Sequence, residues 1–575
     1  MKQKILPPIL FAAMAGFLLL TYYSDMLFTA QWRTPFMTGT PFRDGLLAEP
    51  FGLLAFAGCW LTQTLYHPAL GVAVYLVLWL ASWVVGTKAL RLGRQWSALM
   101  MLPLGCLVLS LTGVGYMIYC NLLIGYWFSQ SLGYLLCLAM LWGLGYLGRS
   151  IVAQVVQAVV CLALYPLLGW YAYLLALCLV LKQRNWWCLL ALLAPALWRA
   201  VLYDNVSMYV LWQAGFPLFR NTNVLVQRPI VPFYLLAAFT LVLAALPWRR
   251  VLSARQWGIG LSALTLLTAT GVWCGSFKNY NYLAEMRMTR STMDEDWKTV
   301  LDEAKRTKHP SRTMVALKNV ALMNTGRLGE RSFALSNDGR DITNPDSLVL
   351  NIMQIAAPLV YYNYGMTNFA ERWCIENSVS YGYSPYYLQL IARCAKASGE
   401  EAMVQRTVDL LRTHAWYGDW QPGKVPPVVR ELRETFANVI DSDRNSCEFH
   451  LIDIFSQAGG SGSPLVEELH LFYAMLYGTP GRFWPAFVEY AASHRDELLP
   501  QHFQEAYFFF MDNYPVELPF KVNVASLTYD RYKAFKQHYA HCCEVGADKV
   551  TAGEAMRAEW AGTFWWHHYF GRNSY

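Results

Sequence analysis

From Ile5 to Gly275 the chain passes through one apolar stretch after another, each about as long as a bilayer is thick. The stretches lie at 5–23, 68–87, 96–115, 131–147, 151–167, 169–181, 186–203, 229–247 and 257–275. Each is near the ~20 residues a helix needs to cross a ~30 Å hydrocarbon core, with 151–181 the most closely coupled. From Lys278 onward charged residues are interspersed throughout. The pattern predicts an all-α protein: a polytopic transmembrane helical bundle over 1–275 with about nine spans, followed by a soluble α-helical domain over 276–575. A hydrophobic fraction of 55%, a charged fraction of 15% and a mean hydropathy of +0.25 exclude an ordinary soluble enzyme.

Sidedness follows from the basic residues. Lys88, Arg91 and Arg94, then Arg149, then Lys182 and Arg184, then Arg249, Arg250 and Arg255 sit in short loops between apolar runs, and such loops stay in the cytoplasm. All four loops fall there only if the marginal segment 50–65 lies in the interface or re-enters instead of crossing. Nine crossings then put 276–575 outside, which for a bacterial inner membrane is the periplasm. The stretches 24–67 and 204–228 become outer loops. The amino terminus has the basic start and apolar run of a secretory signal but no small-residue cleavage site after it, and reads as an uncleaved first span.

The net charge of +7 is scattered, with no stripe that would bind nucleic acid. Of thirteen cysteines, eight lie in or beside apolar segments, where they behave as small hydrophobes. Cys374, Cys394, Cys447, Cys542 and Cys543 remain in the soluble half; Cys374 with Cys394 is a conceivable disulfide, but an odd count is no complete framework.

The soluble half reads as paired helices. In 294–333 a Pro-Ser break separates two helical patterns, the second ending at Asn324 to Gly326. The turn glycines Gly326, Gly365 and Gly399 are 39 and then 34 residues apart, near the ~34-residue period of helix-turn-helix repeats. With Ala392, Ala395 and Ala402 around Gly399, these residues resemble the tetratricopeptide-repeat family over about 300–415. The resemblance implies a concave surface for a protein or peptide partner. The aromatic phrases "VYYNYGMTNF" and "YGYSPYYLQL" either line such a surface or pack the repeats.

Walker, dinucleotide, zincin and serine-hydrolase motifs are absent. The glycine-rich "GLGYLG" at 143–148 reads as close helix packing. His538 and Cys542 share a helix face, with His541 and Cys543 nearby, but no second ligand pair stands at zinc-like spacing. His567 and His568 belong to an aromatic tail that packs on its domain or touches headgroups.

The densest chemistry lies outside the first span. Asp25, Arg33, Arg43, Asp44, Glu49 and His67 in one outer loop, with Asp204, Arg220 and Arg228 in the other, could share a cleft. Arg199 is the ionisable residue deepest in an apolar run; it either faces a protein interior, with Asp204 the nearest partner, or snorkels to the headgroups. This layout resembles the GT-C glycosyltransferases, membrane enzymes that use lipid-linked sugars and place a catalytic acid in the first outer loop. The resemblance implies Asp25 as base or metal ligand, Asp44 or Glu49 as second acid, and Arg33, Arg43 and Arg228 on the phosphates of a polyprenyl-linked sugar. His67, Arg199, Asp204 and Arg220 complete the substrate-binding set. A divalent cation would be the cofactor on this resemblance alone. The paired acids that often follow the first span in that family are missing. A plainer reading makes these solvated charges that anchor the interface.

Residues 44–79 also resemble a family of Bacteroidota membrane proteins without assigned activity, through Thr62, Gln63, Tyr66, Pro68 and Gly71. That implies architecture and envelope location. Three functions remain: glycosyl transfer at the outer face, a non-enzymatic envelope scaffold with a peptide-binding repeat domain, and transport, which so few intramembrane charges disfavour. Membrane lipid is a partner in all three.

Overall fold

The computed structural model describes residues 2–119, 124–217, 230–248, 251–307, 309–337, 339, 353–439 and 447–571. Among them all regular structure is helical. The chain divides into two compact units: Met1–Asn279 with Ser378–Leu388 and Val408–Trp420, and Tyr280–Asn377 with Gln389–Thr407 and Gln421–Tyr575.

The first unit opens with α1 (Lys2–Thr21) and α2 (Ser24–Arg33), which meet at a 73° bend. Next come α3 (Thr40–Leu47), α4 (Gly52–Thr62), α5 (Pro68–Ala89), α6 (Met101–Thr112) and α7 (Tyr126–Leu144). Then follow α8 (Ile151–Ala163), α9 (Tyr165–Leu168), α10 (Trp170–Gln183), α11 (Ala194–Val201), α12 (Met208–Trp212), α13 (Val231–Ala245) and α14 (Ala254–Gly275). Among the described residues, α5, α7 and α14 are long and apolar enough to cross a membrane, and α1 with α2 adds a fourth if the bent pair is one span. The other apolar runs form shorter helices. Between 163 and 170 the break is local: Pro166 starts a new turn, and Gly169, at φ +54°, ends it.

The stretch 24–67, expected as a loop, is mostly helix. Met26, Leu27, Phe28, Ala30 and Trp32 give α2 a buried apolar face, and Pro41 occupies the first turn of α3. With eleven residues α4 is about 16 Å long, half of what a crossing needs, and it packs against α7. That contact depends on glycine: a Cβ on Gly125 would come 2.1 Å from the Ala55 carbonyl oxygen, and one on Gly58 would come 2.2 Å from that of Gly125. The glycines of 143–148 do not act this way. Gly143 and Gly148 have open space where a Cβ would go, so close packing belongs to Gly58 and Gly125 instead.

Polar groups tie the bundle internally. Trp79 Nε1 donates to Ser131 Oγ (3.0 Å), Tyr134 Oη and Thr240 Oγ1 are 3.0 Å apart, and Tyr171 Oη donates to the Gln130 carbonyl (2.9 Å). Each of these bonds joins buried groups of two different helices.

The second unit begins with α15 (Tyr280–Met293), α16 (Trp297–Arg306), α17 (Arg312–Asn324), α18 (Leu328–Arg331) and α19 (Met353–Asn363). The helices α20 (Thr367–Tyr381), α21 (Pro385–Ser398) and α22 (Glu401–Leu411) contribute to both units. It closes with α23 (Pro427–Phe436), α24 (Cys447–Phe455), α25 (Pro464–Tyr477), α26 (Pro480–Ser493), α27 (Gln501–Asn513), α28 (Ser526–Glu544), α29 (Lys549–Trp560) and α30 (Phe564–Trp566). Consecutive helices contact one another, α16 with α17 and α25 with α26 among them. Asp296 and Ser311 cap α16 and α17 through Thr299 N–H and Met314 N–H. Gly326, Gly365 and Gly399 follow helix ends at φ +60°, +75° and +76°, the left-handed turn that stops a helix.

Cys374 and Cys394 are buried free thiols, so the disulfide considered from their positions is not formed. The aromatic tail packs within its own unit: His568 lies 4.2 Å from Phe509, ring to ring, and His567 is buried. His538 accepts from Trp560 Nε1 (3.1 Å), and no group of three or more His, Cys, Asp or Glu able to hold a metal occurs among the described residues.

Candidate functional site

The most elaborate polar site of the first unit is built on α2 and the turn after α4. The last three residues of α2, Gln31, Trp32 and Arg33, are all committed. Gln31 Nε2 donates to Gln63 Oε1 (3.2 Å), and Gln31 Oε1 accepts from Tyr417 Oη (3.1 Å). The Gln63 carbonyl accepts from Trp416 Nε1 (2.9 Å). Trp32 meets the edge of Tyr386 at 4.8 Å. The Phe36 N–H donates to His414 Nε2 (3.2 Å), which fixes His414 as an acceptor at that nitrogen. Burial pushes the His414 imidazole down to about 4, because its charged form would lose water.

Arg33, the last residue of α2, sits among rings. Its guanidinium carbon is 3.7 Å from the Tyr386 centroid and 5.4 Å from those of Tyr119 and Tyr387, and Nη1 donates to Tyr387 Oη (3.2 Å). Beside it is a cavity of about 40 Å³ lined by Arg33, Thr34, Tyr119, Trp127, Tyr381 and Tyr387. That is room for about three waters, far below what a sugar requires. Tyr66 and His67 continue the aromatic surface, with His67 edge-on to Trp416 at 4.8 Å.

The Arg33 cage, the glutamine pair and the Trp416 stack all draw on 24–67 and on two segments that return more than three hundred residues later, the second ending at Trp420. The family match along the chain covers the same ground, running from residue 2 to residue 422. The chain belongs to the DUF6057 family. DUF6057 is described as a family of unknown function. Its match ends two residues after Trp420, so it takes in all of the first unit but Met1 and leaves 423–575 outside. No curated protein and no solved structure matches the chain.

Within the DUF6057 region the expected site residues are placed unevenly. Asp25 is half-buried in the first turn of α2, where the helix dipole favours a carboxylate. Arg43 and Asp44 pair with each other (Nε to Oδ1, 2.9 Å), both largely exposed. Glu49, His67, Arg199 and Asp204 are exposed. Asp204 Oδ1 accepts from its neighbour's N–H, Asn205, at 2.9 Å, and of the two readings of Arg199 the pairing with Asp204 is not made: Arg199 is exposed in the last turn of α11. Arg220 and Arg228 lie outside the described residues. The Glu49 carboxylate does lie within electrostatic range of the Tyr203 phenol, which links the two expected outer stretches. Sequence reasoning missed Gln31, His414, Trp416 and Tyr417, and took Tyr386 and Tyr387 only as part of an aromatic phrase that lines a repeat surface or packs the repeats.

The second unit holds two buried polar knots. His502 Nδ1 donates to Glu505 (3.0 Å) while its Nε2 accepts from Ala334 N–H (3.1 Å), and Glu505 also accepts from Phe564 N–H (2.8 Å). Both ring nitrogens are spent on structure. Lys318, fully buried, donates to the Ser332 and Ser336 carbonyls and to Asn337 Oδ1, and burial pushes its amine down to about 7.

Proposed function

We propose that this DUF6057 protein is a multi-pass protein of the bacterial inner membrane, with about nine spans, that acts as a non-enzymatic scaffold. In this reading its tetratricopeptide-like helices stand in the periplasm and present a concave surface to an envelope protein or peptide. The observation that carries it is the fate of Arg33. A phosphate clamp must leave its fork open, whereas this guanidinium is laid on Tyr386 and bonded to Tyr387, so α2 serves as a mount for the returning segments. The experiment is alanine at Asp25, Asp44 and Glu49, singly and together, in the native chromosomal copy. Scaffold function predicts normal envelope integrity and an unchanged glycan profile; loss of a glycan would overturn it.

A second reading, glycosyl transfer from a polyprenyl-linked donor in the manner of GT-C enzymes, is favoured by one observation. The four carboxylates of 1–279 are Asp25, Asp44, Glu49 and Asp204, all in the two stretches read as outer, and Glu49 acts on Tyr203 beside Asp204. A divalent cation would sit among these acids. Under this reading the same alanine series abolishes the glycan, Glu49 is the first of the three to matter, and Asp204→Ala, added to the series, weakens substrate binding.

A further inference from the structure

Charge in the first unit is segregated along the bundle. Between Glu49 and Glu285 the one carboxylate is Asp204, while Lys88, Arg91, Arg94, Arg149 and Lys182 come from three separate turns. The fold gathers these turns at one end. Arg91 Nη2 donates to the Gly145 carbonyl (3.4 Å), Arg149 Nη2 to that of Lys182 (3.4 Å), and Lys182 Nζ to that of Leu90 (2.7 Å); Lys88 Nζ lies 4.6 Å above the Trp142 ring. Lys88, Arg91 and Arg94 are exposed, and none of them has an ion pair among the described residues.

The same three cations border a cleft of about 1080 Å³ between α1, α5, the 91–97 turn and Trp248. Its walls change character along its length. Leu80, Trp83 and Val84 of α5 line it as well, and Lys88 lies further along the same helix, about 12 Å from Leu80 and about 6 Å from Val84 along the axis. The mouth is built. Gln95 bonds the Leu252 backbone twice, donating to its carbonyl (2.9 Å) and accepting from its N–H (2.7 Å), and the Trp96 and Trp248 rings pack at 5.1 Å. A cationic rim with indole beside it and an aliphatic floor below matches a molecule that is anionic at one end and hydrocarbon at the other.

We propose that this cleft is a binding site for an anionic phospholipid. Arg94, with the Lys88 ammonium and the Arg91 nitrogens that are not bonded to Gly145, holds its phosphodiester, and its acyl chains run along Leu80, Trp83 and Val84. A zwitterionic lipid brings its own cation to the rim and is excluded. Free phosphate lacks the chains that occupy the floor.

The test is native mass spectrometry of the purified full-length chain, loaded with phosphatidylglycerol or with phosphatidylcholine and stripped stepwise of lipid. Phosphatidylglycerol should be retained at least about tenfold over phosphatidylcholine, and excess inorganic phosphate should not displace it. Lys88→Gln, Arg91→Gln and Arg94→Gln should each cost about fivefold in retention. Lys278→Gln, on the cation that stacks on Trp273, should cost nothing. Equal retention of the two lipids by the wild type overturns the proposal without recourse to any variant. Displacement by phosphate overturns the lipid as occupant, and an equal loss in Lys278→Gln overturns the site in favour of general charge.

Discussion

The guanidinium of Arg33 lies over the ring of Tyr386, 3.7 Å from carbon to centroid, across 353 residues of sequence. Trp32 closes the same ring from its edge, and Tyr387 accepts a hydrogen bond from the guanidinium. A cation, an indole and two phenols thus fasten the start of α21 to the end of α2. The contact is half-buried, which places it toward the stronger end of cation–π pairs.

Arg33→Ala should therefore destabilise the first unit by ~2 kcal/mol, the worth of a partly desolvated cation–π pair with its hydrogen bond. Arg33→Lys should recover less than half of this, since an ammonium offers no plane to stack on the ring. Thermal unfolding of the purified full-length variants measures both. Equal melting of Arg33→Ala and wild type would show that the cage carries no stability.

His414 should make the protein sensitive to mild acid. Its folded-state value of about 4 lies below the ordinary 6.5, so between these limits the unfolded chain binds a proton that the folded one refuses. Stability from this residue is complete above about 6.5 and falls as pH drops toward 4, by at most ~3 kcal/mol. His414→Gln, which can still accept from Phe36 N–H, should flatten that part of the curve. Denaturation midpoints across this window, compared between the two proteins, decide it.

Glu371 should give the opposite slope. Burial, aided by the nearby Glu400, raises its carboxyl from 4.5 to about 7, so the folded state holds a proton that the unfolded chain has released. Stability is full below about 4.5 and declines as pH rises through 7. Glu371→Gln should raise the melting temperature above pH 7 and leave it unchanged below 4.5. A gain of equal size at both ends would assign the effect to packing instead.

What the sequence makes legible is what is local. Helical class follows from run length and period, and the glycine turns at 326, 365 and 399 declare themselves by residue type. The helical character of 24–33 is also readable, because Met26, Leu27, Ala30 and Trp32 recur at helical spacing; the charges around them draw the eye to a loop. The Arg33 cage is not readable. "YGYSPYYLQL" has the same composition whether it packs a repeat or grips a distant helix, and nothing near Gln31 announces a bond to Tyr417, 386 residues away. Likewise Arg43 and Asp44 invite a catalytic reading as separate charges, and the fold spends them on each other.

Gly125 and Gly143 share α7 or its cap but should differ sharply in tolerance. Gly125→Ala places a methyl 2.1 Å from a backbone oxygen of α4 and forces a residue at φ +71° to carry a Cβ, so α4 must move. Loss of a folded, monodisperse protein is expected, with a cost above ~3 kcal/mol. Gly143→Ala meets open space in the last turn of α7 and should be neutral or slightly stabilising, by less than the ~1 kcal/mol of a helix interior. Size-exclusion profiles of the two detergent-solubilised variants distinguish them, and a well-behaved Gly125→Ala would refute the close crossing.

The proposed membrane orientation is open to a direct test, because short basic loops favour the cytoplasmic side. Turning the first unit over would carry Lys88, Arg91, Arg94, Arg149 and Lys182 across the bilayer together, while the acids at Asp25, Asp44, Glu49 and Asp204 would gain nothing by facing the cytosol. Alkaline phosphatase, active only where its disulfides form, should be active when fused after Tyr575 and inactive when inserted at Arg149. A cytosolic fluorescent reporter should give the reverse at both positions. Replacing Lys88, Arg91 and Arg94 with glutamine should weaken the bias and produce mixed activity at Tyr575. Uniform phosphatase activity at Arg149 in the wild type would invert the assignment of the basic end, and with it the compartment of everything after Gly275.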